Sequence, residues 1–176
     1  MSENYISRQI SVYKTDKKLI EFNDKLNSAP PAVYAHLHAQ ADTPSETQLG
    51  SDNGRKIYSN IGIVLQDYSN GKGDKTVRVT ANISPDEAQF IYSRVYVNVQ
   101  NFEFNLDKIF GTPDAGGYST VTKLRIVRAP FDKDNNPRNY PWCVDIENGK
   151  GKPAKGKNGG TYCQSGSFVN VDTPHG

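Results

Sequence analysis

Two runs of alternating residues, set back to back and stopped by a helix start, constrain this chain more than any other feature. In RKIYSNIGIVLQDYS, Ile57, Ile61, Ile63 and Leu65 share one face, and Tyr58, Gln66 and Tyr68 lie on the other. After NGKGDK the run KTVRVTANI alternates again, setting Val77, Val79, Ala81 and Ile83 against Arg78, Thr80 and Asn82. A period of two sends successive side chains to opposite faces of a strand, so the pair predicts a β-hairpin with an apolar face and a polar-aromatic one. Ser84-Pro85-Asp86-Glu87 then opens a helix. Ser at the N-cap, Pro at the first helical position and Glu at the third make a capping box, with acids at the positive end of the helix dipole. Ala88, Ile91, Tyr92 and Val95 share a helical face, and the return to period two at Val95, Val97 and Val99 ends the helix between Ser93 and Asn98. One core of Ile61, Ile63, Leu65, Val77, Val79, Ile91 and Val95 is expected.

The flanking segments are less periodic. Residues 5–14 read as a short strand, and Asp16 as the cap of a short N-terminal helix in DKKLIEFNDKL, where Leu19, Phe22 and Leu26 recur at helical spacing. Residues 28–54 read as a long loop, with AVYAHLHA as its edge-strand candidate. NFEFNLDKIF continues as a strand or an irregular segment, TPDAGGYS as a loop, and strands follow at 120–129, 141–148 and 161–171. Strands adjacent in sequence pair as hairpins, so the expected class is α+β: a mainly antiparallel sheet packed by one well-capped helix, plus the short N-terminal helix. The 176 residues suit a single domain with three parts: 1–54, a hairpin-plus-helix core at 55–110, and C-terminal strands at 118–171. Hydrophobic residues make up only 35%, and ten tyrosines supply much of the large apolar surface, which favours sheet over helical bundle.

Catalysis finds no support in the motifs. No nucleophile elbow, phosphate-binding loop or dinucleotide fingerprint is present, and the chain reads as a binding protein, without a cofactor. His36 and His38 have metal-like spacing on a strand but no third ligand at a specific distance. Asp145 and Glu147 share a strand face, as the acids of a metal-dependent nuclease would. They read more simply as solvent-facing positions opposite Trp142, Val144 and Ile146. Cys143 and Cys163 lie symmetrically about a Lys/Gly stretch; two half-buried thiols are expected in preference to a redox clamp. No run approaches the ~20 apolar residues of a membrane span. The N-terminal MSENYISRQ lacks a signal peptide's apolar core, so a cytoplasmic protein with no membrane partner is expected.

Charge points to a partner. The formal net charge is only +2, yet residues 121–160 hold nine Lys/Arg against four Asp/Glu. In VTKLRIVRAP, Leu124 and Ile126 take one face and Lys123 and Arg125 the other, with Arg128 at the end. The stretch KGKPAKGKNGG carries Lys150, Lys152, Lys155 and Lys157 and reads as the loop of a long hairpin between 141–148 and 161–171. If the polar faces bearing Tyr58, Tyr68, Arg78, Lys123 and Arg125 belonged to one sheet, cations would alternate with flat aromatics. Single-stranded nucleic acid is bound in that way, with bases stacked on rings and phosphates met by Lys and Arg. The same loop composition also suits a solvated loop without a partner.

VTANISPDEAQFIYSRV resembles the strand-to-helix passage of the Whirly and positive-cofactor type of single-stranded DNA-binding proteins. The resemblance covers about one fifth of the chain and implies a curved antiparallel sheet whose face, here bearing Tyr58, Tyr68 and Arg78, holds the strand. The chain departs from that family by continuing for some eighty residues of further strands. PWCVDIENG and GGTYCQSGSF resemble accessory proteins of Gram-positive phages and conjugative elements. Two functions follow as expectations. One is a nucleic-acid-binding accessory protein, with single-stranded DNA as the favoured ligand. The other is an anti-defence inhibitor, in the manner of an anti-CRISPR, docking on a host nucleoprotein complex.

Overall fold

The computed structural model describes residues 8–26 and 60–170. Within them the elements are β1 (Gln9–Lys14), β2 (Lys18–Lys25), β3 (Asn60–Asp67), β4 (Val77–Ile83), α1 (Pro85–Tyr96), β5 (Glu103–Phe110), β6 (Ser119–Arg128), β7 (Trp142–Gly151), β8 (Pro153–Lys155), β9 (Thr161–Cys163) and β10 (Val169–Asn170). Two four-stranded antiparallel sheets result, in the orders β1-β2-β3-β4 and β10-β7-β6-β5, while β8 and β9 pair by themselves. The stretch AVYAHLHA with His36 and His38, the loop at 28–54, and Ile57 and Tyr58 lie outside the described residues.

The hairpin and helix that alternation and capping predict are present. In the β3–β4 ladder Ile63 pairs with Ala81 and Leu65 with Val79. Glu87 N–H donates to Ser84 Oγ at 3.1 Å, and Ser84 N–H donates to Glu87 Oε2 at 2.7 Å, which closes the capping box. The N-terminal helix is not formed: Lys18–Lys25 is β2, paired with both β1 and β3. Thr15 decides this locally. Its N–H donates to the Lys18 carbonyl at 2.8 Å, and its Oγ1 accepts from Lys18 N–H at 3.0 Å, so Asp16 sits at a hairpin tip and caps nothing. The run Leu19, Ile20, Phe22 fits both periods, and pairing Ile20 with Leu65 and Phe22 with Ile63 buries more of it than an isolated helix would.

One core joins the two large sheets. Ile63, Val79, Ala81 and Ile83 of the first meet Leu124, Ile126 and Ile146 of the second, with Ala88 and Ile91 of α1 and Ile61, Leu65 and Val77 at the margin. Val95, expected in that core, is 39% exposed. It lies on the azimuth of Ala88 and Ile91, but by then the helix has run past the sheets.

The two sheets stay separate because the free edge of β4 is closed by side chains. Thr80 N–H donates to Asn148 Oδ1, and Asn148 Nδ2 donates to the Thr80 carbonyl, both at 2.8 Å. The amide of a β7 residue thus replaces a neighbouring strand. Lys108 Nζ caps the Asn82 carbonyl of the same edge at 2.9 Å.

The C-terminal part departs from the long hairpin expected of it. β7 runs on to Gly151 beside β6, so Lys150, the first lysine of the basic stretch, belongs to a strand. β8 and β9 form their own short hairpin, and the expected strand at 161–171 is broken by a turn in which Gly166 has φ +76°. The break lets residues 163–168 fold over the outer face of the second sheet. Gly149 and Gly151 make the close approach feasible: a Cβ at Gly151 would collide with the Cys163 sulfur, and one at Gly149 with the Val169 carbonyl. Val121, on the face opposite Leu124, is completely buried there. Both cysteines are half-buried free thiols. Cys143 is eight residues along β7 from Gly151, the contact of Cys163; at ~3.3 Å per residue no clamp between them is feasible.

Candidate nucleic-acid interface

Lys123 and Arg125 do share the outer face of the second sheet, as alternation requires. Three of their four neighbours across the ladder are acids. Lys123 stands between Asp107 and Glu147, and Arg125 between Asn105 and Asp145. Arg125 Nε meets Glu103 Oε1 at 3.0 Å and its Nη1 meets Asp145 Oδ2 at 3.9 Å; Lys123 Nζ is 3.7 Å from Glu147 Oε2 and 3.8 Å from the centre of the Phe168 ring. The hydrogen bond from Arg125, with that of Asn105 behind it, holds the Glu103 carboxyl below the usual range, and Glu103 in turn raises Arg125. Four acids around two cations do not make a basic strip. Asp145 and Glu147 therefore act as ion-pair partners on that face, and Val144 and Ile146 face the core.

The other predicted residues are dispersed. Tyr68 follows β3 and Arg78 lies on β4 of the first sheet, whereas Lys123 and Arg125 lie on the second, so they do not share one aromatic-cationic face. Tyr68 is half-buried and its hydroxyl donates to Gln66 Oε1 at 2.7 Å. Arg78 is exposed on β4. Arg128 is engaged in tying β6 to the segment after α1, donating from Nε to Asn98 Oδ1 and from Nη1 to the Gln100 carbonyl, both at 3.2 Å. Sequence separation hides these pairings, since each acid lies on a strand some twenty residues from its cation.

What remains cationic is the β8–β9 hairpin and its approach. Lys150 is neutralised: its Nζ meets Asp114 Oδ2 at 3.1 Å. Asp114 is held below the ordinary carboxylate range first by the backbone N–H of Tyr118 and then by Lys150. Lys152 Nζ stands 5.4 Å from the centre of the Tyr118 ring. Lys155 Nζ donates to the hydroxyl of Thr161 at 2.8 Å, and Lys157 is exposed on the turn. Among the described residues none of these three lysines has an acid partner. The turn is closed by Gly159 N–H on the Gly156 carbonyl at 3.0 Å, with Gly159 at φ +78°. The Ala154–Tyr162 register puts Tyr162 on the face opposite Cys163, so its ring is turned away from the sheet and 52% exposed.

Tyr118 and Tyr162 were not distinguishable in sequence from the other eight tyrosines. Only the pairing of β7 with β6 out to Gly151 brings Tyr118 beside Lys152, and only the hairpin register leaves Tyr162 uncovered. A second exposed feature is the overhanging half of α1, where Tyr92, Val95 and Tyr96, with Val97 at the C-cap, lie uncovered and Arg94 stacks on Phe90 at 5.1 Å.

Among the described residues no group of three or more His, Cys, Asp or Glu is placed to hold a metal, and no helix is long and apolar enough to cross a membrane. No protein-family model matches the chain, and no curated protein or solved structure matches it either.

Proposed function

We propose that the protein binds single-stranded nucleic acid, DNA being the favoured form, through the β8–β9 hairpin, as a cytoplasmic accessory protein of a phage or other mobile element. The carrying observation is that Lys152, Lys155 and Lys157 have no acid partner among the described residues and cluster on the β8–β9 hairpin and its approach, with the exposed ring of Tyr162 on the hairpin face opposite Lys155. Lysines without acid partners meet phosphates, and a flat ring offers a platform for an unstacked base. Tyr118 lies beneath Lys152 and steadies its ammonium group. The sheet face takes no part in this reading, because its cations are already neutralised.

Binding to labelled single strands and duplexes over a salt series tests the proposal. Replacing Lys152, Lys155 and Lys157 with Ala should weaken binding alike for all sequences and make the salt slope shallower by ~0.7 per lost contact. Tyr162→Ala should cost ~1–3 kcal/mol on single strands with the slope unchanged. Neutralising Lys123 and Arg125 together with their acids should leave affinity as it was. Absence of salt-sensitive binding at micromolar protein would overturn the proposal.

The overhang of α1 favours a second reading, an inhibitor that docks on a host nucleoprotein complex. Exposed large apolar side chains clustered on half a helix are the kind of surface that a protein partner covers. Tyr92→Ser with Tyr96→Ser separates the two, since it should leave nucleic-acid binding intact.

A further inference from the structure

Every sheet ends in edges, and the edges here are not treated alike. In an antiparallel ladder the main-chain groups of alternate residues face the neighbouring strand, and those between them face away. Thr15 bonds Lys18, so Tyr13 and Ser11 also bond β2, while Val12 and Lys14 turn their N–H and C=O outward. The same alternation turns Thr80 and Asn82 of β4 outward, and there Asn148 and Lys108 occupy them. At β5 the outward groups belong to Glu103, Asn105, Asp107 and Ile109, an edge whose two acids oppose pairing with a second strand of its kind. β10 is only two residues long. β1 has six residues, all exposed, including Ile10, Val12 and Tyr13. Among the described residues no hydrogen bond reaches the outward groups of Val12 or Lys14. A long apolar edge left open is a template for another strand.

We infer that β1 pairs with β1 of a second copy of this chain, about a two-fold axis through Val12, merging two four-stranded sheets into one. The axis makes the outward N–H and C=O of each Val12 meet those of the other, so the interface is self-complementary and closes at two. The charges agree with this register. Each Lys14 falls across from Ile10 of the second copy, so no cation opposes a cation. The Arg8 end of one strand lies beside the Asp16 turn of the other. Arg8 and Asp16 are both exposed and have no ion-pair partner among the described residues. The bulge between Gln9 and Ser11 bends the strand and ends the paired stretch at Ile10. This interface is independent of the β8–β9 hairpin and does not need the nucleic-acid reading to hold.

Sedimentation of the full chain from about 1 to about 200 µM tests it, since a dimer's population depends on protomer concentration. A dimer is expected. Val12→Pro removes a donor that points away from β2 and costs no bond within the chain, so it should weaken the dimer at least about tenfold. Arg8→Asp and Asp16→Arg should each weaken it, and the two together should restore it to within about threefold. If Val12→Pro melts early, the charge series decides alone, because both positions are exposed. A monomer at every concentration would overturn the inference. So would a dimer indifferent to Val12→Pro, or a charge swap that restores nothing. Binding of an extended peptide by a strictly monomeric protein would assign the edge to another partner, which also overturns it.

Discussion

At the scale of single residues, a few polar groups fix the architecture. Ser84 and Glu87 satisfy two N-terminal donors of α1, and Ser84→Ala should cost about 0.5–2 kcal/mol in a chemical melt. Asn148 has a larger task, since its amide carries both hydrogen bonds of Thr80 and a third to Thr122 Oγ1 at 3.2 Å. Asn148→Ala leaves a half-buried donor and acceptor unpaired and opens the β4 edge. A loss of about 1–3 kcal/mol is expected, with faster amide exchange at Thr80 as the local signature. Gly151 allows the closest approach in the C-terminal part, and Ala there would have to displace the Cys163 sulfur.

At the scale of elements, α1 behaves as two halves. Its first half is capped and packs Ala88 and Ile91 on the core; its second half overhangs, with Tyr96 76% exposed. Ile91→Ala should therefore cost about 1–3 kcal/mol, whereas Tyr96→Ser should stay within about 0.5 kcal/mol of the parent in the same melt. Equal losses would mean that the second half is covered in solution. The β8–β9 hairpin is an element in which structure and binding coincide. Asp114→Asn keeps the acceptor that caps Gly116 and Tyr118 but removes the charge facing Lys150. Under the nucleic-acid reading, single-strand affinity should rise and the salt slope steepen by up to ~0.7.

At the scale of the whole molecule, the described carboxylates with perturbed titration are Asp67, Glu103, Asp114 and Asp132, and all four are shifted downward. For Asp132 the largest cause is the backbone N–H of Asn136, and for Asp67 the hydrogen bonding of Ser69. A carboxylate held low in the fold binds fewer protons there than in the unfolded chain. Its contribution is therefore present above the ordinary carboxylate range and is lost as pH falls through the lowered values. The protein should accordingly lose stability on the acid side. Asp114→Asn and Asp132→Asn should each flatten that loss in denaturant midpoints measured from neutral pH down to about 3.

Local rules determined the parts of this fold whose cause lies within a few residues. The alternation of β3 and β4, the capping box of α1 and the strands at β6 and β7 were legible because backbone periodicity and side-chain capping act over that range. The helical reading of residues 16–26 failed because its apolar spacing satisfied two periods, and contacts with β3, some forty residues away, chose between them. The lysines at 150–157 were legible as a basic stretch, but which remain unpaired was not. The partition of charge depended on the ladders that bring Asp145 and Glu147 against Arg125 and Lys123, and on the loop that brings Asp114 to Lys150. Composition determined that the C-terminal part is basic. Tertiary structure decided where that charge is still available, because pairing in space, and not count along the chain, sets the field that a partner meets.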